Sequence, residues 1–364
     1  MKKKTKNGTG LHIVKRPAIS WYKAMAFRAF ALLCAILVCA VVTWALTRES
    51  PIGVMVTIFG GSFASQRRFW VMMQDLSVLL LISLAMAPAF RMKFWNIGGE
   101  GQVMIGCLAT AACMITLGNR LPNGLVILLS LVSAVIAGGI WGLIPAVCKA
   151  KWNTNETLFT LMMNYVAIQL CAYFIILWEK PKGSGKVGII NQASHAGWLP
   201  VIGRYKYLLT VIVAAAVTVF IFCYMKYSKH GYELAVVGES QNTARYVGIR
   251  VGRVIVRTML LSGAICGLTG FMLVAGSDHT ITTTLANGRG FTAVLVAWMA
   301  KFNPFGMIFT SFLITFMSKG AGEVATNFNL NESFSDILTS IIIFFLIGCE
   351  FFIQYRIVRK KEAK

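Results

Sequence analysis

Long apolar blocks separated by short polar segments dominate this chain. A helix needs about 20 such residues to cross roughly 30 Å of hydrocarbon. Blocks of this kind run at about 24–46, 70–90, 97–118, 125–148, 156–178, 207–227, 258–275, 289–300, 305–318 and 333–354. The pattern therefore predicts an all-α, polytopic membrane protein of about ten spans. The eighth and ninth blocks are short, so a broken or re-entrant path is expected over 276–318.

Composition agrees with that reading. Of 364 residues, 57% are hydrophobic and 13% charged, about half the charged fraction of a soluble domain. The net charge of +22 would suggest nucleic acid in a soluble chain, but in a membrane protein the sides on which Lys and Arg fall matter more than their sum. With the amino terminus inside, most of them lie in inner segments. This predicts both termini in the cytoplasm, an even number of crossings and no nucleic-acid partner. All nine cysteines fall in or at the ends of apolar blocks without a CxxC pair, as packing residues rather than a disulfide or metal framework. The first block follows a basic segment but has no convincing cleavage site, and reads as an uncleaved span.

The segments between the spans divide as follows. Residues 1–23 and 356–364 read as basic cytoplasmic tails, the first of them able to lie on anionic lipid headgroups, and 24–355 as the membrane domain. Residues 47–69 are expected outside, with a short interfacial helix. The outer loop 179–206 is rich in Gly, Pro and Trp and could meet an extracytoplasmic partner. The longest inner loop, 228–257, reads as two short helical pieces broken at Gly238. Ala235, Val236, Tyr246, Val247 and Ile249 are placed there to pack against something other than lipid. A docking surface for a cytoplasmic subunit explains that loop better than a connector does.

Enzyme signatures are absent: there is no HExxH or GxSxG, and the four histidines lie in tails or loops. "GSGKV" at Gly183–Val187 fails as a phosphate-binding loop, because the pattern needs Gly where Lys180 stands and a hydroxyl residue where Val187 stands. No cofactor is expected in this chain, and ATP coupling would have to come from another subunit.

Polar residues within the apolar blocks carry more information, since a charge in hydrocarbon is costly and usually faces a bundle interior or a wet cavity. Asp75 with Gln74, Glu100 with Asn96 and Gln102, Asn164 and Asp336 fit that description. Asn96 and Glu100 would share a helical face. Gly98, Gly99 and Gly101 around the carboxylate permit a broken helix start or close approach by another backbone. Glu100 has two open readings: a place on a solute path, or a structural role, paired with Arg91 or Lys93 or capping its own helix. Gly263 and Gly267, with Gly138, Gly139 and Gly142, read as close helix packing.

The stretches "FWNIGGEGQVMIG" (Phe94–Gly106), "NTNETLFTLMMNYVA" (Asn153–Ala167) and "GYELAVVGESQNTARYVGIRV" (Gly231–Val251), followed by "LLSGAICGLTGFM", stand in the order and spacing of the ABC importer permeases for nucleosides and simple sugars, relatives of the ribose and branched-chain amino acid permeases. The resemblance covers roughly residues 70–350. It implies a bacterial plasma-membrane uptake system with an extracytoplasmic binding lipoprotein, a second permease and a cytoplasmic ATPase having two nucleotide-binding modules. It further implies coupling helices at Gly231–Val251, with Gly231, Gly238, Glu239, Asn242, Arg245 and Gly248 at motif positions. A translocation path would be shaped by Asp75, Asn96, Glu100, Gln102, Asn155 and Asn164, with Glu156 beside them. The chain departs from the family pattern at Trp95, inserted into the usual "FNIG", and at Trp298, Met299 and Lys301, where small or glycine residues are commoner. Two other functions compatible with the blocks alone are an ion-coupled secondary transporter in which Glu100 or Asp75 titrates, and a passive channel.

Overall fold

The computed structural model describes residues 11–17, 19–48, 50–202, 205 and 207–359. Among them, eight helices are long and apolar enough to cross a membrane, and they coincide with the seven long blocks up to 258–275 and with the last one. The chain divides into two compact units, one made of Gln66–Thr315 and the other of the residues before and after it.

In the central unit, helices α3 (Gln66–Arg91), α4 (Gly99–Leu117), α5 (Asn123–Trp152), α6 (Glu156–Trp178) and α7 (Leu208–Tyr227) follow in order. They are succeeded by α8 (Lys229–Glu239), α9 (Gln241–Tyr246), α10 (Val251–Phe271), α11 (Arg289–Met299) and the first half of α12 (Pro304–Asn327). The most enclosed spans are α3, α4 and α10, at 67–72% burial over their apolar windows against 28% for α5, α6 and α7. The unit is thus built around α3, α4 and α10, and the other spans leave an apolar face outward for lipid or another chain.

What brings these helices together is the absence of side chains. Gly106 of α4 lies against Gly267 of α10, where an added Cβ would stand 2.7 Å from the Gly267 Cα. Gly138 of α5 faces Gly263 and Gly267, and a methyl at Gly267 would overlap the Ala134 carbonyl oxygen. The predicted glycine stripe of the fourth span and the GxxxG of the seventh therefore meet in one junction, where backbones approach as closely as small residues permit.

Residues 276–318 resolve into one broken crossing and one long helix. Beyond Phe271, α10 continues as a π-helical turn over Met272–Asp278 and stops at His279, which is left-handed at φ 51°. A Thr-rich segment leads to Gly288, at φ 69°, and only then does the 11-residue α11 begin. The short block 305–318 lies inside α12, whose 24 residues span about 36 Å; its apolar half ends before Lys319.

The inner loop is helical as expected, with its break moved. Gly238 is not the break: it lies within α8, buried, and the helices part at Ser240, whose hydroxyl accepts from the Thr243 amide at 3.2 Å to start α9. Serine offers the side-chain oxygen that a helix start lacks. Residues from Val251 on already belong to the α10 span.

In the other unit, α1 (Trp21–Thr47) pairs with α13 (Glu332–Gln354), and Arg28 Nε donates to Glu350 at 2.8 Å. The expected short helix over 47–69 is α2 (Pro51–Gly60), with proline at its first turn. Leu11–Lys15, read as part of a basic tail, forms strand β1, antiparallel to β2 (Tyr355–Arg359), with Leu11 opposite Arg359. Residues 11–15 and 355–359 therefore lie side by side. Residues 1–10 of the first tail and 360–364 of the second fall outside the described residues. Asp336, expected to face a bundle interior, is exposed near the start of α13.

Candidate functional site

The segment Phe94–Gly101 forms the entry to α4 and is held by side chains from two other helices, α6 and α10. Asn96 is fully buried; its amide donates to Ser262 Oγ of α10 at 3.1 Å, and its carbonyl oxygen accepts from the Gly98 amide at 3.0 Å and from Gln102 Nε2 at 3.4 Å. Asn164 of α6 accepts from the Gly101 amide at 2.8 Å and donates to the Ile97 carbonyl at 2.9 Å. Thr160 of α6 accepts from the Ile97 amide at 3.2 Å. Each of these meets a backbone group that the interrupted helix leaves without a partner. Asn155 lies apart and exposed, capping α6 by accepting from the Leu158 amide, while Glu156 pairs with Lys149 at 2.9 Å.

Glu100 pairs with neither Arg91 nor Lys93. Its two carboxylate oxygens accept from the backbone amides of Gly288 and Gly290, at 2.8 and 2.7 Å. Those amides begin α11, so Glu100 caps a helix 188 residues further along the chain. Gly290 is required there, since a Cβ would overlap the Glu100 backbone nitrogen. The positive ends of α4 and α11 thus meet almost in contact, and a carboxylate between them offsets the repulsion of two helix dipoles. Asp75 of α3 completes the clamp, accepting from Arg289 at 2.7 Å.

Five of the six path candidates therefore fall in two connected groups around the starts of α4 and α11. Ser262, Thr160, Arg289, Gly288 and Gly290 belong with them and were not singled out from the sequence. An arginine between two glycines, Gly288 and Gly290, at the edge of an apolar block was a signal for Arg289, given that Asp75 needed a countercharge; for the glycine amides there was none.

At the far end of α11, the departures Trp95 and Trp298 touch one another, their ring centroids 5.2 Å apart, with Phe90 and Phe302 against them. Lys301 and Phe302 end α11 with left-handed backbones, φ 50° and 60°, which is why glycine suits position 301. A double-mutant cycle with Trp95→Ala and Trp298→Ala is expected to give a coupling of about 0.5–1.5 kcal/mol in thermal or denaturant unfolding. Additive losses would show the two rings to be independent.

The inner loop folds onto the bundle through a cluster of Leu234, Val237 and Ala244 with Met92, Phe94, Ala146, Val254 and Met259. Gly231 and Gly238 are the contact points: a methyl on the first would overlap the Met225 carbonyl, and on the second the Arg91 carbonyl. Gly248, at φ 81°, ends α9, with its amide bonded to the Arg245 carbonyl and that of Ile249 to Ala244. Glu239, Asn242, Arg245, Tyr246 and Val247 are exposed, Tyr246 at 94%. Arg257 donates to Glu233 at 2.8 Å, a hydrogen bond that lowers the Glu233 pKa below the ordinary carboxylate value; His230 lies 3.6 Å away. A carboxylate with a depressed folded-state pKa contributes stability above the unfolded value near 4.3 and loses it as pH falls through the folded value. Melting temperature is thus expected to fall with acidification in that window and to fall less steeply in Glu233→Gln. Parallel profiles for the two proteins would show the pair to be energetically silent.

In the outer loop, Gly183 and Gly185, which looked like a phosphate loop, direct their amides at the chain's own Glu179, both at 2.7 Å. These hydrogen bonds hold the Glu179 carboxyl below its ordinary range.

These features define a class: a polytopic helical membrane protein with one half-irregular crossing, a polar network at its helix breaks and a rigid helical loop at one end. The family described as the permease component of branched-chain amino acid transport systems matches residues 72–347, and the chain belongs to it. It is 31% identical over 277 residues to the guanosine ABC transporter permease protein NupP of Bacillus subtilis, covering 75% of this chain and 79% of that one. To the glucose ABC transporter permease protein TsgB13 of Haloferax volcanii it is 29% identical, over 77% and 76%. To the nucleoside ABC transporter permease protein NupB of Lactococcus lactis it is 24% identical, over 86% and 88%. The chain is accordingly an ABC importer permease, a transport subunit whose ATP hydrolysis is carried by a separate chain. Permeases of this family work with an ATP-binding subunit and a substrate-binding protein. Nothing in the fold or among these relatives favours the ion-coupled alternative.

Proposed function

We propose that the chain imports a neutral, hydroxyl-rich solute, a nucleoside or a simple sugar, past the polar residues around the starts of α4 and α11. The observation that carries this reading is the occupied terminus of α11. A half-helix that begins inside a membrane domain is well suited to hold an anionic solute, but here Glu100 already fills that place. Asp75 is matched by Arg289, so with Glu100 on the α11 terminus the network presents no unmatched cation to an anionic solute. What it offers is amides: Gln74 is buried with neither amide atom bonded within the chain, and Gln102 Oε1 likewise has no donor. The relatives named for guanosine, nucleosides and glucose point to the same chemical class. Asn96, Gln102 and Asn164 shape the path in this reading, and Asn155 anchors the neighbouring span.

The loop α8–α9 is the coupling element for an ATPase with two nucleotide-binding modules, presenting Glu239, Asn242, Arg245, Tyr246 and Val247. Gly231 and Gly238 transmit its position to α7 and α3 by direct backbone contact, and Gly248 closes its turn. The loop side is cytoplasmic, as are both termini, since the paired ends β1 and β2 fit an even number of crossings of a bacterial plasma membrane. A second permease faces this one, and an extracytoplasmic lipoprotein delivers the solute. Copurification with the ATPase, and uptake of labelled guanosine and glucose in proteoliposomes, test this. Wild-type capture is expected to be lost in Arg245→Glu and weakened in Gly238→Ala. Equal capture by all three would remove the coupling assignment, and uptake of an anionic solute in preference to both neutral ones would remove the solute class.

A further inference from the structure

A cleft of about 820 Å³ opens where α5 ends, α9 folds back and α10 begins, and Lys149, Lys151, Arg245, Arg250 and Arg253 line it. Lys149 is engaged with Glu156 at 2.9 Å. Among the described residues, Lys151, Arg245, Arg250 and Arg253 make no ion pair. Four cations converge on one concavity with no Asp or Glu among the described residues that line it, a concentration of positive potential that an external anion relieves.

The position of the cleft selects the kind of anion. It sits where the apolar run of α5 gives way to Lys149 and Lys151, which is headgroup depth for a span. An exposed apolar stripe, Val132, Ile136, Ile140 and Ile144, winds along α5 at four-residue spacing, and Trp152, 69% exposed, stands in the chain between the cleft residues Lys151 and Asn153. A basic hollow at the top of an apolar track, with an interfacial tryptophan beside it, matches one molecule with an anionic head and a hydrocarbon tail.

We propose that this cleft is a site for the phosphate headgroup of an anionic phospholipid, whose acyl chain lies along the α5 stripe. Lys151, Arg250 and Arg253 hold the phosphate, and Arg245 links the occupied site to α9. Bound lipid would thereby fix the end of α10 and the α9 turn against α5. This assignment does not depend on the solute reading, and its test leaves unsubstituted Arg245, which the coupling reading also uses.

The test uses the purified full-length chain, delipidated and then offered phosphatidylglycerol, phosphatidylcholine or inorganic phosphate, with retained lipid read by native mass spectrometry and stability by melting. Phosphatidylglycerol is expected to remain bound and raise the melting temperature, while phosphatidylcholine does neither. Each cation near an anionic lipid surface is worth roughly fivefold in affinity, so the triple variant Lys151→Gln, Arg250→Gln, Arg253→Gln is expected to bind about a hundredfold more weakly. Lys226→Gln with Lys229→Gln, inner cations outside the cleft, keeps wild-type binding. If the triple variant fails to fold, Arg253→Gln alone, at about fivefold, and the headgroup comparison on the wild type decide the matter. Equal retention of the two lipids, unchanged binding in the variants, or full stabilisation by inorganic phosphate alone overturns the proposal. So does loss of ATPase capture in the triple variant with phosphatidylglycerol binding intact, which would assign the cleft to an acidic protein surface.

Discussion

Glu100→Ala is expected to abolish uptake while leaving the protein in the membrane. The substitution removes the only carboxylate between the starts of α4 and α11, on a residue 6% exposed, and strands the amides of Gly288 and Gly290. A buried donor left without its acceptor costs about 1–3 kcal/mol, so α11 loses about 2–6 kcal/mol of docking energy before the two facing dipoles are counted. At 1.4 kcal/mol per tenfold, the docked position of α11 falls by roughly thirtyfold or more. The Asp75–Arg289 pair remains as a tether, which is why expression is expected to survive. Hydrogen exchange over 288–292 should rise sharply and transport should fall to background. Glu100→Gln keeps one acceptor but turns an NH2 group toward the second amide, and should be intermediate. Wild-type exchange and wild-type uptake in Glu100→Ala would show that α11 is held by its packing on α3 alone.

Gly267→Ala is expected to be the most damaging single methyl in the protein. The added carbon would overlap the Ala134 carbonyl oxygen, which is backbone on a helix and has no flexible end to give way. Cβ atoms added to Gly138 of α5 or to Gly106 of α4 would each stand 2.7 Å from the Gly267 Cα, so the backbones here have no slack. The substitution must therefore push α5 away from α10 at the point where their backbones are closest. Overpacking of a close-packed core costs about 1–3 kcal/mol, occasionally more, and a clash with a helix backbone belongs at or above the upper end. Low yield and a melting temperature several degrees below wild type are expected. Gly124→Ala, where a Cβ meets nothing within 4 Å, is the matched control and should match the wild type. Similar melting of the two variants would mean that α5 and α10 can separate without cost.

Much of this architecture was legible in the chain because hydrocarbon imposes a length and a polarity on whatever crosses it. Eight blocks became eight long helices, and the glycine stripes of the fourth and seventh spans found each other. The helical inner loop was also legible, but its break was assigned to Gly238. Glycine is permissive rather than breaking, and here it serves close approach to Arg91, whereas the break needs a capping oxygen, which Ser240 supplies. Of the two left-handed residues at 301 and 302, Lys301 was visible only as a departure from the family pattern, without the backbone angle that explains it, and Phe302 was not singled out.

What the chain by itself determined is everything local or one-dimensional: which segments are apolar enough to span, which loop is long and helical, where side chains are absent, and, through motif order, the family. What the tertiary structure alone decided is the partnership of each polar residue. The reach from Glu100 to Gly288 and Gly290 crosses almost 190 positions and ends on backbone amides, which every residue but proline carries and no residue type marks. The meeting of Trp95 with Trp298 and the convergence of cations from α5, α9 and α10 have the same cause. A side chain's chemistry is written in the chain, but the groups that satisfy it are chosen by the packing of helices.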